Sequence, residues 1–161
     1  MKKLLIPFLV LVVAACHHAG KRLYDSKMPA ISMLLVDSAT RIKAADIPGG
    51  EPVVFIYFRP DCIHCQEETN MLLQGIASLK DVRLYMLTPK YHPMLKAFYE
   101  HFKLGDYDNI KVGVDEGMVF FNHFQARHIP FLAVFDKDKR LVKAHEGTFT
   151  LNSLLQTVEE Q

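Results

Sequence analysis

Two cysteines three residues apart, in the run Cys62-Ile63-His64-Cys65, are the residues with the most chemistry to offer. On a helix, such residues lie one turn apart on one face, so their sulfurs can join or part with little backbone movement. Cys62 falls where a helix is expected to begin. Unpaired N–H groups and the helix dipole at that point favour an anion, which lowers a thiol's pKa and raises its thiolate fraction. Cys65, a turn deeper, is expected to be more buried and less reactive. The pair therefore has an attacking sulfur, Cys62, and a resolving sulfur, Cys65, and the matching chemistry is thiol–disulfide exchange.

The same spacing suits half of a zinc site. A closed site needs two more ligands, and the chain has three cysteines and no second C-x-x-C. His64 lies between the two thiols, but His92, His101, His123, His128 and His145 are not at ligand spacing. No structural metal is expected. Soft thiolates do suit Cu(I), so a non-enzymatic copper carrier using Cys62, Cys65 and a histidine is the alternative from another class.

Composition removes other classes. A length of 161 residues allows one domain. Hydrophobic residues make up 50% and charged residues 23%, which excludes extended disorder. Nineteen basic side chains against eighteen acidic ones leave a formal charge of +1, so no basic excess exists to neutralise phosphates and no nucleic-acid partner is expected. Three cysteines are too few to staple a small disulfide-rich fold.

The elements that must position the pair follow from periodicity. Residues 52–58, PVVFIYF, form a continuous β-branched and aromatic run, the pattern of a strand buried on both faces. Arg59-Pro60-Asp61 breaks it, and a helix is expected over 62–79. Further strands are expected at 31–37, 40–43, 82–87, 110–114, 131–135 and 140–145. Further helices are expected at 94–102, at 117–126 with Asp115 as its cap, and at 151–159 with Thr150 as its cap. Pro130 opens the apolar strand at 131, a position where proline is tolerated. Strands and helices alternate, and the last two strands are joined by a tight turn. That argues an α/β fold with a central mixed sheet and helices on both faces.

From about residue 31 to 160 the chain resembles a thioredoxin-fold protein of the TlpA/ResA-like class. The residues that carry the likeness are the leading hairpin, PVVFIYFRPDCIHCQEE, the extra strand–helix unit at 110–126, IPFLAVFDKDKRLV, and Gly147 before the last helix. The resemblance implies a thiol–disulfide oxidoreductase with Cys62 as nucleophile, Cys65 as resolving thiol, Pro130 in cis beside them, and a redox disulfide in the chain in place of any cofactor. It also implies that Glu68 assists proton transfer. His64 is similar in position to the histidine before the second Cys in DsbA and protein disulfide isomerase, where an imidazole near the first sulfur stabilises its thiolate. Several residues depart from the pattern. Asp61 replaces the usual Trp and pushes the Cys62 pKa the other way, Ile63-His64 lacks the common Pro, Lys139 replaces a turn Gly, and apolar Ile56 stands where thioredoxin has a buried acid. A peroxidase on this fold would carry Thr or Ser at position 59, which is Arg59. Reduction of protein disulfides is the expected direction, with oxidation or isomerisation as the alternative.

The N-terminus is expected to be a targeting segment. Lys2 and Lys3 precede an apolar stretch over 4–15, too short to cross a bilayer of roughly 30 Å as a helix. Val13-Ala14-Ala15-Cys16 resembles a bacterial lipobox, in which the Cys becomes the lipidated first residue of the mature protein. Residues 1–15 are read as a lipoprotein signal peptide, 16–30 as the lipidated Cys16 with a tether, and 31–161 as the thioredoxin-like domain. This places the chain in the bacterial envelope, periplasm-facing and held to a membrane by its lipid, where cysteine pairs are oxidised or actively managed. The implied partners are protein thiol or disulfide substrates and an upstream membrane electron donor.

Overall fold

The computed structural model describes residues 24–160 apart from 26, 91 and 92. Cys16 and the segment read as a signal peptide lie outside the described residues. Strands β1 (Ser32–Leu35) and β2 (Arg41–Lys43) form the leading hairpin. β3 (Val53–Tyr57) leads into helix α1 (Ile63–Gln74), followed by β4 (Arg83–Thr88), α2 (Leu95–His101), β5 (Ile110–Glu116) and α3 (Val119–Phe124). A second hairpin, β6 (Phe131–Phe135) and β7 (Leu141–Glu146), precedes α4 (Leu151–Glu159). The seven strands make one sheet in the order β2-β1-β5-β4-β3-β6-β7. β3, β4 and β5 are parallel, and the strands outside them pair antiparallel, so the sheet is mixed as expected.

β3 is the centre of the core, and its alternation divides that core in two. Val54 and Ile56 point to the face where Leu72 of α1, Leu95 and Phe98 of α2, and Leu154 of α4 pack. Val53, Phe55 and Tyr57 point to the face covered by Phe120 and Phe124 of α3. On the second face the rings lock together, with Tyr57 stacked on Phe120 at 5.1 Å and Phe55 edge-on to Phe135 at 5.9 Å. Burial of each such ring contributes about 1.5–3 kcal/mol, which fixes the strand whose end carries the thiols.

Three local outcomes differ from the periodic reading. The helix expected over 62–79 ends at Gln74, because Gly75 interrupts it and Ile76–Leu79 continue as a 3-10 turn. The glycine sits where α4 crosses: a Cβ there would lie 2.2 Å from a Leu151 methyl carbon. Asp115 does cap α3, but from inside β5. Its buried carboxylate accepts from the Phe120 and Phe121 N–H groups at 3.2 and 3.1 Å. Tyr24, Lys27 and Met28 of the expected tether lie against the domain. Tyr24 packs edge-on to Phe124 at 5.2 Å, Lys27 bridges to Arg140, and Met28 joins the α3 face. The turn that lacks the usual glycine holds Lys139 at φ 61°, with the Asp136 carboxylate accepting from the Asp138 and Arg140 N–H groups on either side.

Candidate functional site

The thiols sit where the chain leaves β3. The Phe58 N–H donates to the Leu87 carbonyl, which carries the sheet one residue past the strand. A turn follows in which the Cys62 N–H donates to the Arg59 carbonyl at 3.1 Å. Pro60 is preset for the second position of such a turn, and Gln66 Nε2 pins its carbonyl at 2.8 Å. Cys62 then occupies the N-cap of α1 in an extended conformation, as its place at the helix start required, and no acidic residue stands in the first turn to offset the dipole.

Both cysteines are free thiols, Cys62 half-buried and Cys65 2% exposed. Burial pushes the Cys65 thiol well above its ordinary value, and a hydrogen bond with Cys62 adds to that. The Arg59 backbone N–H, bonded to the Cys65 sulfur, works in the other direction. Cys65 therefore keeps its proton at neutral pH, while Cys62 stands at the surface with the helix start behind it. This is the asymmetry expected of an attacking and a resolving sulfur.

The Ile129–Pro130 peptide is cis, as the resemblance implies. Tyr57 pairs with Phe131 across β3 and β6, so Pro130 lies at the end of the sheet from which the chain runs to Cys62. The Pro130 carbonyl accepts from Gly147 at 2.9 Å, which ties this loop to the end of β7.

Glu68 is one turn beyond Cys65 and is not a surface acid, being 5% exposed. Its Oε1 accepts from the Phe149 N–H at 2.7 Å, and its Oε2 is buried without a hydrogen-bond partner. Burial raises its pKa to about 7, against the Phe149 bond and the field of His64, which lower it. A carboxyl that titrates near neutrality thus stands one helical turn from the protonated thiol. His64 itself is exposed, and its Nδ1 lies 3.2 Å from Glu67 Oε2. Its hydrogen-bond partner is Glu67 rather than the Cys62 sulfur.

Arg59 is the site residue that the sequence reading passed over except as an obstacle to peroxidase chemistry. Its guanidinium forks onto Asp61, Nε to Oδ1 at 3.0 Å and Nη2 to Oδ2 at 2.5 Å. The carboxylate expected to oppose thiolate formation is therefore paired. The available signal was the Arg-Pro-Asp triplet itself, in which the turn brings positions 59 and 61 to one side.

Among the described residues, no three His, Cys, Asp or Glu side chains gather as a metal site, so the histidine expected to complete a copper site is not assembled there. A cleft of about 320 Å³ lined by Arg59, Thr88, Pro89 and Lys90 opens beside the turn. A larger cavity of about 610 Å³ lies between α2 and the β1–β5 part of the sheet, and neither thiol lines it. Neither thiol lines the smaller cleft either, and Arg59 is its link to the turn that carries Cys62.

No family model and no curated protein matches the sequence. Solved structures match the fold. One is dsbF of Mycobacterium tuberculosis in mixed oxidised and reduced forms, 18% identical, covering 81% of this chain and 94% of that one at a TM-score of 0.69. A second is the pneumococcal exposed lipoprotein thioredoxin Etrx1 of Streptococcus pneumoniae, 23% identical, covering 81% and 98% at 0.64. A third is a secreted Mycobacterium tuberculosis disulfide oxidoreductase homologous to DsbE of E. coli, 16% identical, covering 82% and 96% at 0.65. At these identities the shared property is the fold, which is thioredoxin-like.

Proposed function

We propose that this thioredoxin-fold chain is a thiol–disulfide oxidoreductase that reduces protein disulfides in the bacterial envelope. The observation that carries the reading is the unequal pair at the start of α1: an accessible Cys62 over the helix N-terminus and a buried, protonated Cys65 with a titrating acid one turn away. The Cys62 thiolate attacks a substrate disulfide, a mixed disulfide forms, and one substrate sulfur leaves as thiolate. Cys65 passes its proton to the Glu68 carboxylate and attacks the Cys62 sulfur, expelling the second substrate sulfur. The substrate gains two electrons, and the Cys62–Cys65 disulfide holds the oxidation. An upstream membrane dithiol returns two electrons to the pair, one proton goes back to Cys65, and Cys62 is left as thiolate for the next cycle.

The test is reduction of insulin disulfides with dithiothreitol as donor, beside a Cu(I) titration of the reduced protein. Acceleration of insulin reduction supports the oxidoreductase. Tight copper binding without acceleration replaces it with the metal carrier. Direction is read from the potential of the couple: a value near that of thioredoxin, about −270 mV, marks a reductase, and one near DsbA, about −120 mV, marks an oxidant.

Membrane attachment through Cys16 is part of the proposal. It is supported by the lipobox-like Val13-Ala14-Ala15-Cys16 and by the fold shared with proteins described as secreted or as an exposed lipoprotein. Only a Cys thiol accepts the diacylglyceryl group, so Cys16→Ser is expected to abolish lipid attachment and leave an uncleaved or soluble product. Incorporation of labelled fatty acid into the Cys16→Ser variant at the parent's level would refute the anchor while leaving the thiol chemistry intact.

A further inference from the structure

We propose that the Arg59–Asp61 ion pair is a built counter-charge for the Cys62 thiolate, with Arg59 tuning the dithiol and Asp61 positioning it. The proposal rests on the oxidoreductase reading above and adds to it a residue pair that the fold does not require.

Two backbone groups of Arg59 bond the two cysteines, and its side chain bonds the residue next to Cys62. Its carbonyl accepts from the Cys62 N–H at 3.1 Å, which closes the turn. Its own N–H bonds the Cys65 sulfur. Its guanidinium is aimed by the two-point fork onto Asp61, the residue bonded directly to Cys62. A fork of this kind fixes the plane of the guanidinium as well as its distance, so the cation does not sweep the surface as a lone Arg would. The guanidinium pKa is raised first by Asp61, against a smaller cost of desolvation, and then further by the fields of both sulfurs. Among the described residues, Lys90 shares the cleft with Arg59, and His64 is turned to Glu67.

The electrostatic consequence has a definite sign. Reduction of the disulfide takes up two electrons and, with Cys62 as thiolate, one proton, which goes to Cys65. A cation beside Cys62 stabilises this reduced product and leaves the disulfide form unchanged, so it makes the couple more oxidising. Asp61 alone would do the reverse. Removing Arg59 therefore has two parts, loss of the cation and loss of the charge that balances the Asp61 carboxylate.

The experiment is equilibration of the purified domain with glutathione redox buffers, with the Cys62–Cys65 disulfide quantified by alkylation. Arg59 is half exposed, and the Ala variant removes only its surface contacts. Arg59→Ala is expected to lower the equilibrium constant for reduction about tenfold, equivalent to about 30 mV. Arg59→Lys should recover part of this, because a point charge returns without the fork. In Arg59→Ala/Asp61→Asn at least half of the loss should return, because the carboxylate charge that Arg59 balanced has gone. An Arg59→Ala constant within twofold of the parent overturns the proposal, and so does a double variant no better than Arg59→Ala. Failure of the parent protein to form a reversible Cys62–Cys65 disulfide would instead overturn the oxidoreductase reading.

Discussion

Cys65→Ala is expected to accumulate covalent complexes with its substrates. Exchange passes through a mixed disulfide on Cys62, and the buried thiol normally releases it. Without Cys65 the complexes should persist as high-mass bands on a non-reducing gel and collapse on addition of dithiothreitol, and catalytic turnover should fall to background. Cys62→Ala should lose turnover equally but trap almost nothing, because Cys65 is 2% exposed and its thiol is held protonated by burial. The fold should survive both changes. Loss of one buried sulfur leaves a small gap that costs about 1 kcal/mol. Equal trapping by the two variants would refute Cys62 as the attacking sulfur, and absence of bands from both would favour the metal carrier.

Glu68→Gln is expected to flatten the pH dependence of exchange and of stability. Below pH 7 the carboxyl is mostly protonated and cannot take the Cys65 proton, and above about 7 it can. The parent's rate should therefore rise with pH through this range. The variant should lack that rise and run slower at pH 8 by on the order of a hundredfold, the scale of a lost general base. Stability moves oppositely. The folded-state pKa of about 7 exceeds the ordinary 4.5, so between these values the native state holds a proton that the unfolded chain has released. Stability is then greatest below about pH 4.5 and is lost as pH rises through 7. The variant, which keeps an acceptor for Phe149, should escape a loss of at most about 3 kcal/mol by pH 9. Overlapping pH–rate curves in stopped-flow measurements would leave Glu68 as a structural link between α1 and α4.

The parts of this site that were legible in the sequence are those written in local pattern. β3 could be read because VVFIY is apolar on both faces, and the ranks of Cys62 and Cys65 followed from helix geometry alone. Pro130 was visible as a strand opener, whereas its cis peptide came from resemblance. The rest depends on segments far apart in the chain. Nothing near Glu68 shows that it is buried, and the amide that bonds it, the Phe149 N–H, is 81 residues away. Gly75 ends α1 early because Leu151 needs its space. Tyr24 looked like part of a polar tether because its partner Phe124 is one hundred positions distant. Arg59 is the exception, a local contact that pattern reading missed because an Arg beside an Asp is ordinary on any surface.

The bond from the Phe149 amide to Glu68 makes local and global order respond to pH with opposite signs. A carboxylate is a stronger acceptor than a neutral acid, roughly twofold in energy, so the amide is gripped harder once Glu68 ionises, while the whole fold loses stability over the same range. Amide hydrogen exchange separates the two. After correction for base catalysis, the protection of Phe149 against local opening increases through about pH 7. Core amides of β3, which exchange only on global unfolding, become less protected. On the proposed mechanism the ionised Glu68 that accepts the Cys65 proton is also the form that holds the entry to α4 more tightly, so the segment is expected to stiffen before a mixed disulfide is resolved and to relax once the proton has been transferred.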